Sequence, residues 1–184
     1  KKAIINQREV GVDVEDYEHG LYASLREDPD VILIGEMRTP ETIETALVAA
    51  ETGHLVFSTI HTNSAVDSID RIVGVFPENK QPQIRLQLSM TLKAVLAQQL
   101  VPRATGRGRA AACELMMITP PVRNLIRDGK TPQMQSYLMS GGKDGSVTMD
   151  RFLAELAGKG VIMPETAMEA ADDPEEMRKN FMFW

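Results

Sequence analysis

Two residues able to handle protons and charge stand at matching places in the chain. Glu36 follows the apolar run at residues 31–35, and His61 follows a second one at residues 55–60. A carboxylate and an imidazole delivered to one spot can exchange protons, orient water or meet a phosphate oxygen. The phosphate-binding pattern G-x-x-x-x-G-K-[ST] occurs nowhere in residues 1–184. The pair therefore reads as half of a nucleotide site, without the amide cradle and Mg²⁺-holding hydroxyl that supply the main electrostatics. Each residue also has a plainer reading. Glu36 can form a structural ion pair with Arg38, and His61 can bond backbone groups at a strand–helix turn.

The elements that must position the pair follow from pattern. Residues 31–35, VILIG, are apolar without alternation, which predicts a strand covered on both faces in a parallel sheet. Thr39 offers an N-cap, Pro40 sits at the first helical position, and Gly53 closes the helix. Ile43, Ala46, Leu47 and Ala50 fall on one face of it. Strand, helix and strand make a right-handed crossover with parallel strands. Glu36 and His61 then emerge on the carboxyl edge, where open α/β sheets bind ligands.

Around this unit, residues 3–10 read as a strand. Residues 13–27 read as a helix with Tyr17, Leu21 and Leu25 on one face and Asp13 as its cap. Residues 64–76 give a second crossover helix with Val66, Ile69, Ile72 and Val73 buried. Residues 82–100 form the longest helical pattern, carrying Ile84, Leu88, Leu92, Val95 and Leu96. A loop at 103–109 and a strand at 110–118 follow. Its arginines, Arg103, Arg107 and Arg109, read as solvated or as reaching a neighbouring subunit. Past Thr119 strand signals fade into short helices at 120–128, 133–139, 148–156 and 165–171, with a flexible turn at 141–145. A boundary near residue 118 is expected. Met116, Met117, Met134 and Met139 read as core filler, and the apolar tail at 181–184 as docked on its own domain or, failing that, as marking an interface. His54 reads as structural, and His19 as solvated.

Composition sets the bounds. A net charge of −6 argues against a general nucleic-acid surface, and 43% hydrophobic with 25% charged residues is ordinary for a soluble globular protein. The one cysteine, Cys113, can form neither an internal disulfide nor a metal cage. No run reaches the length of a membrane span. The chain starts at Lys1, just before strand-like residues, so an upstream segment is expected to have been removed.

Several stretches together resemble one family. REDPDVILIGEMR at residues 26–38 is similar to the Walker B segment of the hexameric ATPases that drive type IV pili and type II secretion. ETGHLVFSTIHTNSAVDSIDRI at 51–72 resembles their His box, and INQREVG at 5–11 the strand after their Asp box. PVRNLIRDG at 121–129 is similar to the AIRNLIRE motif of the PilT-like retraction motors within that family. Pro121 departs from the usual Ala but fits an opening helical turn. Assembly and secretion ATPases carry two zinc-binding CxxC pairs after the long helix. QQLVPRATGRGRAAACEL at 98–115 has one Cys there, which favours the retraction branch.

The resemblance implies a partial RecA-like P-loop NTPase core with a mostly parallel sheet over residues 1–118, then a small helical subdomain over 119–184. It implies Glu36 as the Walker B acid near Mg²⁺ and the attacking water, and His61 as the sensor of the γ-phosphate. Arg38, Thr59, Thr62 and Arg71 become nucleotide or interface candidates. Arg123, Asn124, Leu125, Ile126 and Arg127 become part of a helix needed for retraction rather than hydrolysis. ATP and Mg²⁺ are the implied cofactors, with no zinc and no nucleic acid. The implied setting is a homo-hexamer in the cytoplasm, peripheral at the inner membrane, against the pilus platform protein. The chain alone is expected to be inactive. The alternatives are a non-catalytic adaptor of the motor, or the assembly or secretion branch.

Overall fold

The computed structural model describes residues 3–140 and 144–181. Its contacts divide the chain into two compact units, residues 1–61 with 72–91 and residues 62–71 with 92–184. Secondary structure changes elsewhere, near residue 118, beyond which the described elements are all helices.

In the first unit, β1 (Val31–Ile34) and β2 (Leu55–Ser58) pair in parallel, with Val31 opposite Leu55 and Ile34 opposite Ser58. Helix α2 (Pro40–Glu51) joins them as expected. The Thr39 hydroxyl accepts from the Thr42 N–H at 3.3 Å, and Gly53 takes φ +104° past the C-cap, a conformation glycine adopts without strain. Ile43, Ala46, Leu47 and Ala49 are the apolar residues buried on α2. The half-buried Ala50 is displaced by Ala49 from the expected stripe. Helix α1 (Tyr17–Ser24) places Leu21 beside Ile32, Ile34, Ala46 and Ala49 in one core cluster.

That cluster covers one face of the strands only. Val31, Leu33, Leu55 and Phe57 are exposed on the other, so the expected two-sided burial is not met within the described residues. The apolar run records what those side chains would need, and a strand reads alike whichever element covers it. Helix α1 is shorter than expected because Asp16, not Asp13, caps it. The Asp13 carboxylate instead accepts from the Glu9 N–H at 2.9 Å in a turn around Gly11. Residues 3–10 are not a strand. A strand is defined by its ladder, and Val10 makes only an isolated bridge, while Ile4 is 92% exposed.

Helix α3 (Ala65–Gly74) buries Val66, Ile69, Ile72 and Val73 as expected. Helix α4 (Gln81–Thr91) ends nine residues before the expected long helix, which was to run to residue 100. Its place is taken by β3 (Ala94–Pro102), which pairs antiparallel with β4 (Arg109–Met117). The spacing of Leu92, Val95 and Leu96 suits a helix locally. Pairing along the whole hairpin, from Ala94 opposite Met117 to Pro102 opposite Arg109, outweighs it. The loop expected at 103–109 is the hairpin turn over 103–108, with Arg109 already in β4 and with Gly106 and Gly108 at positive φ.

In the second unit, Val101, Ala110 and Ala112 of the hairpin meet Met149, Leu153, Ile162, Ala167 and Met177 in one core. The last five come from α7 (Met149–Gly158), the segment after it, α8 (Pro164–Ala170) and α9 (Pro174–Phe181), of which α9 was not anticipated. Helices α5 (Pro120–Arg127) and α6 (Thr131–Ser140) pack together, with Val122, Ile126, Met134 and Leu138 buried. Met116 and Met134 are core residues, but Met139 is 69% exposed, against expectation. Phe181 packs on the α7–α9 core. The rest of the expected docked tail, 182–184, and the turn residues 141–143 lie outside the described residues.

Candidate functional site at the carboxyl edge of the parallel strands

The parallel register sets the site. Because Ile34 lies opposite Ser58, the residues just past the strands run side by side. The Thr59 hydroxyl donates to the Gly35 carbonyl at 2.5 Å, and the Met37 N–H donates to the Thr59 carbonyl at 3.0 Å. These bonds continue the lacing beyond the ladder and bring Glu36 and His61 together. The Glu36 Oε2 atom accepts from the Arg38 Nε–H at 2.7 Å and lies 3.4 Å from the His61 Nε2 atom.

One carboxylate oxygen is thus shared by a guanidinium and an imidazole. The Glu36 side chain is 27% exposed, Arg38 71% and His61 82%. Such solvent-screened pairs add only about 0–1 kcal/mol to stability. The cluster is therefore open to a ligand and easily rearranged by one. The ion pair with Arg38, read from sequence as the plain alternative, is present together with the His61 contact.

The other candidates have different surroundings. Thr62 belongs to the second unit, and its hydroxyl is 2.6 Å from the Ser68 hydroxyl on α3. Arg71 is exposed in the last turn of α3. Arg123, Asn124, Leu125, Ile126 and Arg127 do lie on one helix, α5. Ile126 is buried, Arg123 and Leu125 half-buried, Asn124 exposed, and the Arg127 Nε–H donates to Asp128 at 3.3 Å. His54 has a structural place, its Nδ1 atom 3.0 Å from the Ala49 carbonyl at the end of α2. His19 is exposed and pairs with the Asp16 cap. That pairing raises the pKa of the imidazole, through the hydrogen bond first and the charge of Asp16 second.

Glu114 was not singled out from sequence. It is 1% exposed, and its two carboxylate oxygens accept from the Ala65 N–H at 2.7 Å and the Met149 N–H at 3.4 Å. Burial pushes its pKa above the usual glutamate range, the two N–H groups oppose that, and Asp172 and Asp67 add to it. The signal was present in β4. Ala110, Ala112, Glu114 and Met116 share the inward phase, so one carboxylate sits in an apolar row.

A parallel crossover holding an acid and an imidazole at its carboxyl edge is the arrangement of α/β proteins that bind ligands there. Residues 4–153 match the family model described as "Type II/IV secretion system protein", and the chain belongs to that family. It is 49% identical over 177 residues to a twitching motility protein of Neisseria gonorrhoeae, covering 96% of this chain and 47% of the relative. It is 50% identical over 175 residues to the type IV pilus retractation ATPase PilT of Pseudomonas aeruginosa, covering 95% of this chain and 51% of that one. The crystal structure of the pilus retraction motor PilT with bound ADP superimposes with a TM-score of 0.86 at 50% identity, over 97% of this chain and 50% of that chain. The chain spans about half the length of the curated relatives it matches. The expected α/β class, with parallel strands and a helical C-terminal part, holds. Among the described residues no helix is long and apolar enough to cross a membrane.

Proposed function

We propose that this chain is the acid-and-histidine half of an ATPase motor that retracts type IV pili and so powers twitching motility. The observation that carries the reading is the Glu36–His61 contact at the carboxyl edge, inside a chain half identical to a PilT ATPase. Glu36 has the chemistry to hold a hydrated divalent cation or to take a proton from water. His61, largely exposed, has the reach to meet a terminal phosphate. These residues fit one side of an ATP–Mg²⁺ site. The phosphate-gripping side requires a sequence that residues 1–184 do not contain.

In this reading residues 1–118 are the C-terminal portion of a RecA-like ATPase domain, and 119–184 a helical subdomain. The working assembly is a homo-hexamer on the cytoplasmic side of the inner membrane, against the pilus platform. Arg38, Thr59, Thr62 and Arg71 serve the nucleotide or the subunit boundary, and Arg123–Arg127 serve retraction.

Cells deleted for the encoding gene should still extend pili but fail to retract them. Loss of pilus assembly instead would place the motor on the assembly branch. The purified 184-residue chain should release no phosphate from ATP above a Glu36→Ala control, and measurable turnover by it would sink the half-site reading.

A further inference from the structure

Helix α3 begins four residues after His61, and four residues span at most about 14 Å. Whatever holds the first turn of α3 therefore limits where His61 can go. Part of that hold is local. The Ser64 hydroxyl accepts from the Asp67 N–H at 3.0 Å, and Thr62, next to His61, is bonded to Ser68 one turn along. The rest comes from a distant strand. Glu114 reaches the Ala65 N–H with one oxygen and the Met149 N–H with the other, so one buried carboxylate joins the first residues of α3 and α7.

The α7 end of this tie is rigidly attached. Leu115, beside Glu114, exchanges both backbone hydrogen bonds with Val147 at 2.9 Å, and the Met117 N–H donates to the Ser146 hydroxyl at 3.0 Å. Thr148 then caps α7 by accepting from the Arg151 N–H at 3.2 Å. Farther along α3, Asp70 accepts from the Thr131 hydroxyl at 2.7 Å, at the start of α6, on which α5 packs. Helix α3 is thus tied at two points to the helical part of the second unit.

We infer that Glu114 is a positioning residue, its carboxylate linking the first turns of α3 and α7 so that residues 62–71, the segment that follows His61, and the helical part containing α5 move as one. The catalytic consequence rests on the proposed ATPase function; the mechanical link does not. The bonds of Glu114 go to the backbone of α3 and α7, so its loss should act on turnover rather than on nucleotide affinity.

Two measurements test this. Hydrogen exchange on the chain reads the link directly. Thr148→Ala, which weakens the cap of α7, should speed exchange at residues 65–67 about fivefold where Glu114 is present. In the Glu114→Ala background it should change exchange at residues 65–67 less than about twofold. Glu114→Gln keeps the volume of the side chain and replaces the alanine variant if that one does not fold. Equal effects of Thr148→Ala in both backgrounds would overturn the link, as would a uniform rise in exchange across both units. In the protein as encoded, Glu114→Gln should lower kcat for ATP about tenfold while KM stays within about twofold. A raised KM with unchanged kcat would overturn the positioning role. If the wild-type protein hydrolyses no ATP, the functional reading fails and the exchange cycle alone decides the link.

Discussion

Replacing Glu36 with glutamine separates the two readings of the edge cluster, because they predict opposite balances of stability and turnover. The Glu36 carboxylate holds Arg38 at 2.7 Å and His61 at 3.4 Å, and both partners are more than two-thirds exposed, at 71% and 82%. Glutamine keeps the shape and one acceptor oxygen, and a screened surface pair contributes about 0–1 kcal/mol. For a chain of this size that is a Tm change of about 0–4 °C. A positioned proton acceptor is worth about 10²–10⁴ in rate, or about 3–5 kcal/mol of barrier.

Phosphate release by the encoded protein at saturating ATP should therefore fall at least about a hundredfold in Glu36→Gln, with a nearly unchanged melting curve. Arg38→Ala removes the same bond from its other end. It should reproduce the small Tm change but lose less than about tenfold in turnover. Turnover of Glu36→Gln within about threefold of wild type would leave Glu36 a structural partner of Arg38 and refute the reasoning. So would a Tm loss above about 8 °C, since that would make any fall in rate a folding effect.

Two further outcomes check other parts of the structure. Ile126→Ala on α5 removes a fully buried side chain and should cost about 2–5 kcal/mol, whereas Met139→Ala on α6, 69% exposed, should stay within about 0.5 kcal/mol; equal losses in thermal melts would contradict the packing. Glu114 has its pKa raised in the fold, chiefly by burial, so the folded state binds its proton more tightly than the unfolded chain does. Its contribution is complete below the unfolded glutamate value and is lost as pH rises through the higher folded value. The stability of wild type minus that of Glu114→Gln should fall over that interval and then level off. A difference that grows with pH in denaturant titrations would reverse the assignment.

What could be read from the sequence was whatever is written locally. Helix α2 announces itself by Thr39, Pro40 and Gly53, each acting within a few residues, and the order strand, helix, strand then places Glu36 and His61 on one edge. Strand β3 was hidden because its stabilising partner begins at Arg109, while Leu92, Val95 and Leu96 locally suit a helix. Residues 3–10 failed the other way, with strand-like composition but no ladder among the described residues. Glu114 stayed hidden for a related reason. Its inward phase in β4 was visible, but its meaning depends on Ala65 and Met149, 49 and 35 residues away.

Thr59 and Thr62 show how the edge divides its work. Both flank the His61 segment, and in sequence they are equal candidates for a nucleotide contact. The structure employs both hydroxyls, Thr59 on the Gly35 carbonyl and Thr62 on Ser68. Each must give up a formed hydrogen bond, worth about 1 kcal/mol, before it can serve a ligand. Among the described residues His61 is held only by the Glu36 oxygen at 3.4 Å, and 82% of its side chain is exposed. The two threonines therefore hold the backbone on either side of His61, and the imidazole is the group left free to respond. Thr59→Val should accordingly loosen the Gly35–Thr59 lacing and lower turnover without altering the chemistry proposed for His61, so its pH–rate profile should keep the wild-type shape at reduced height.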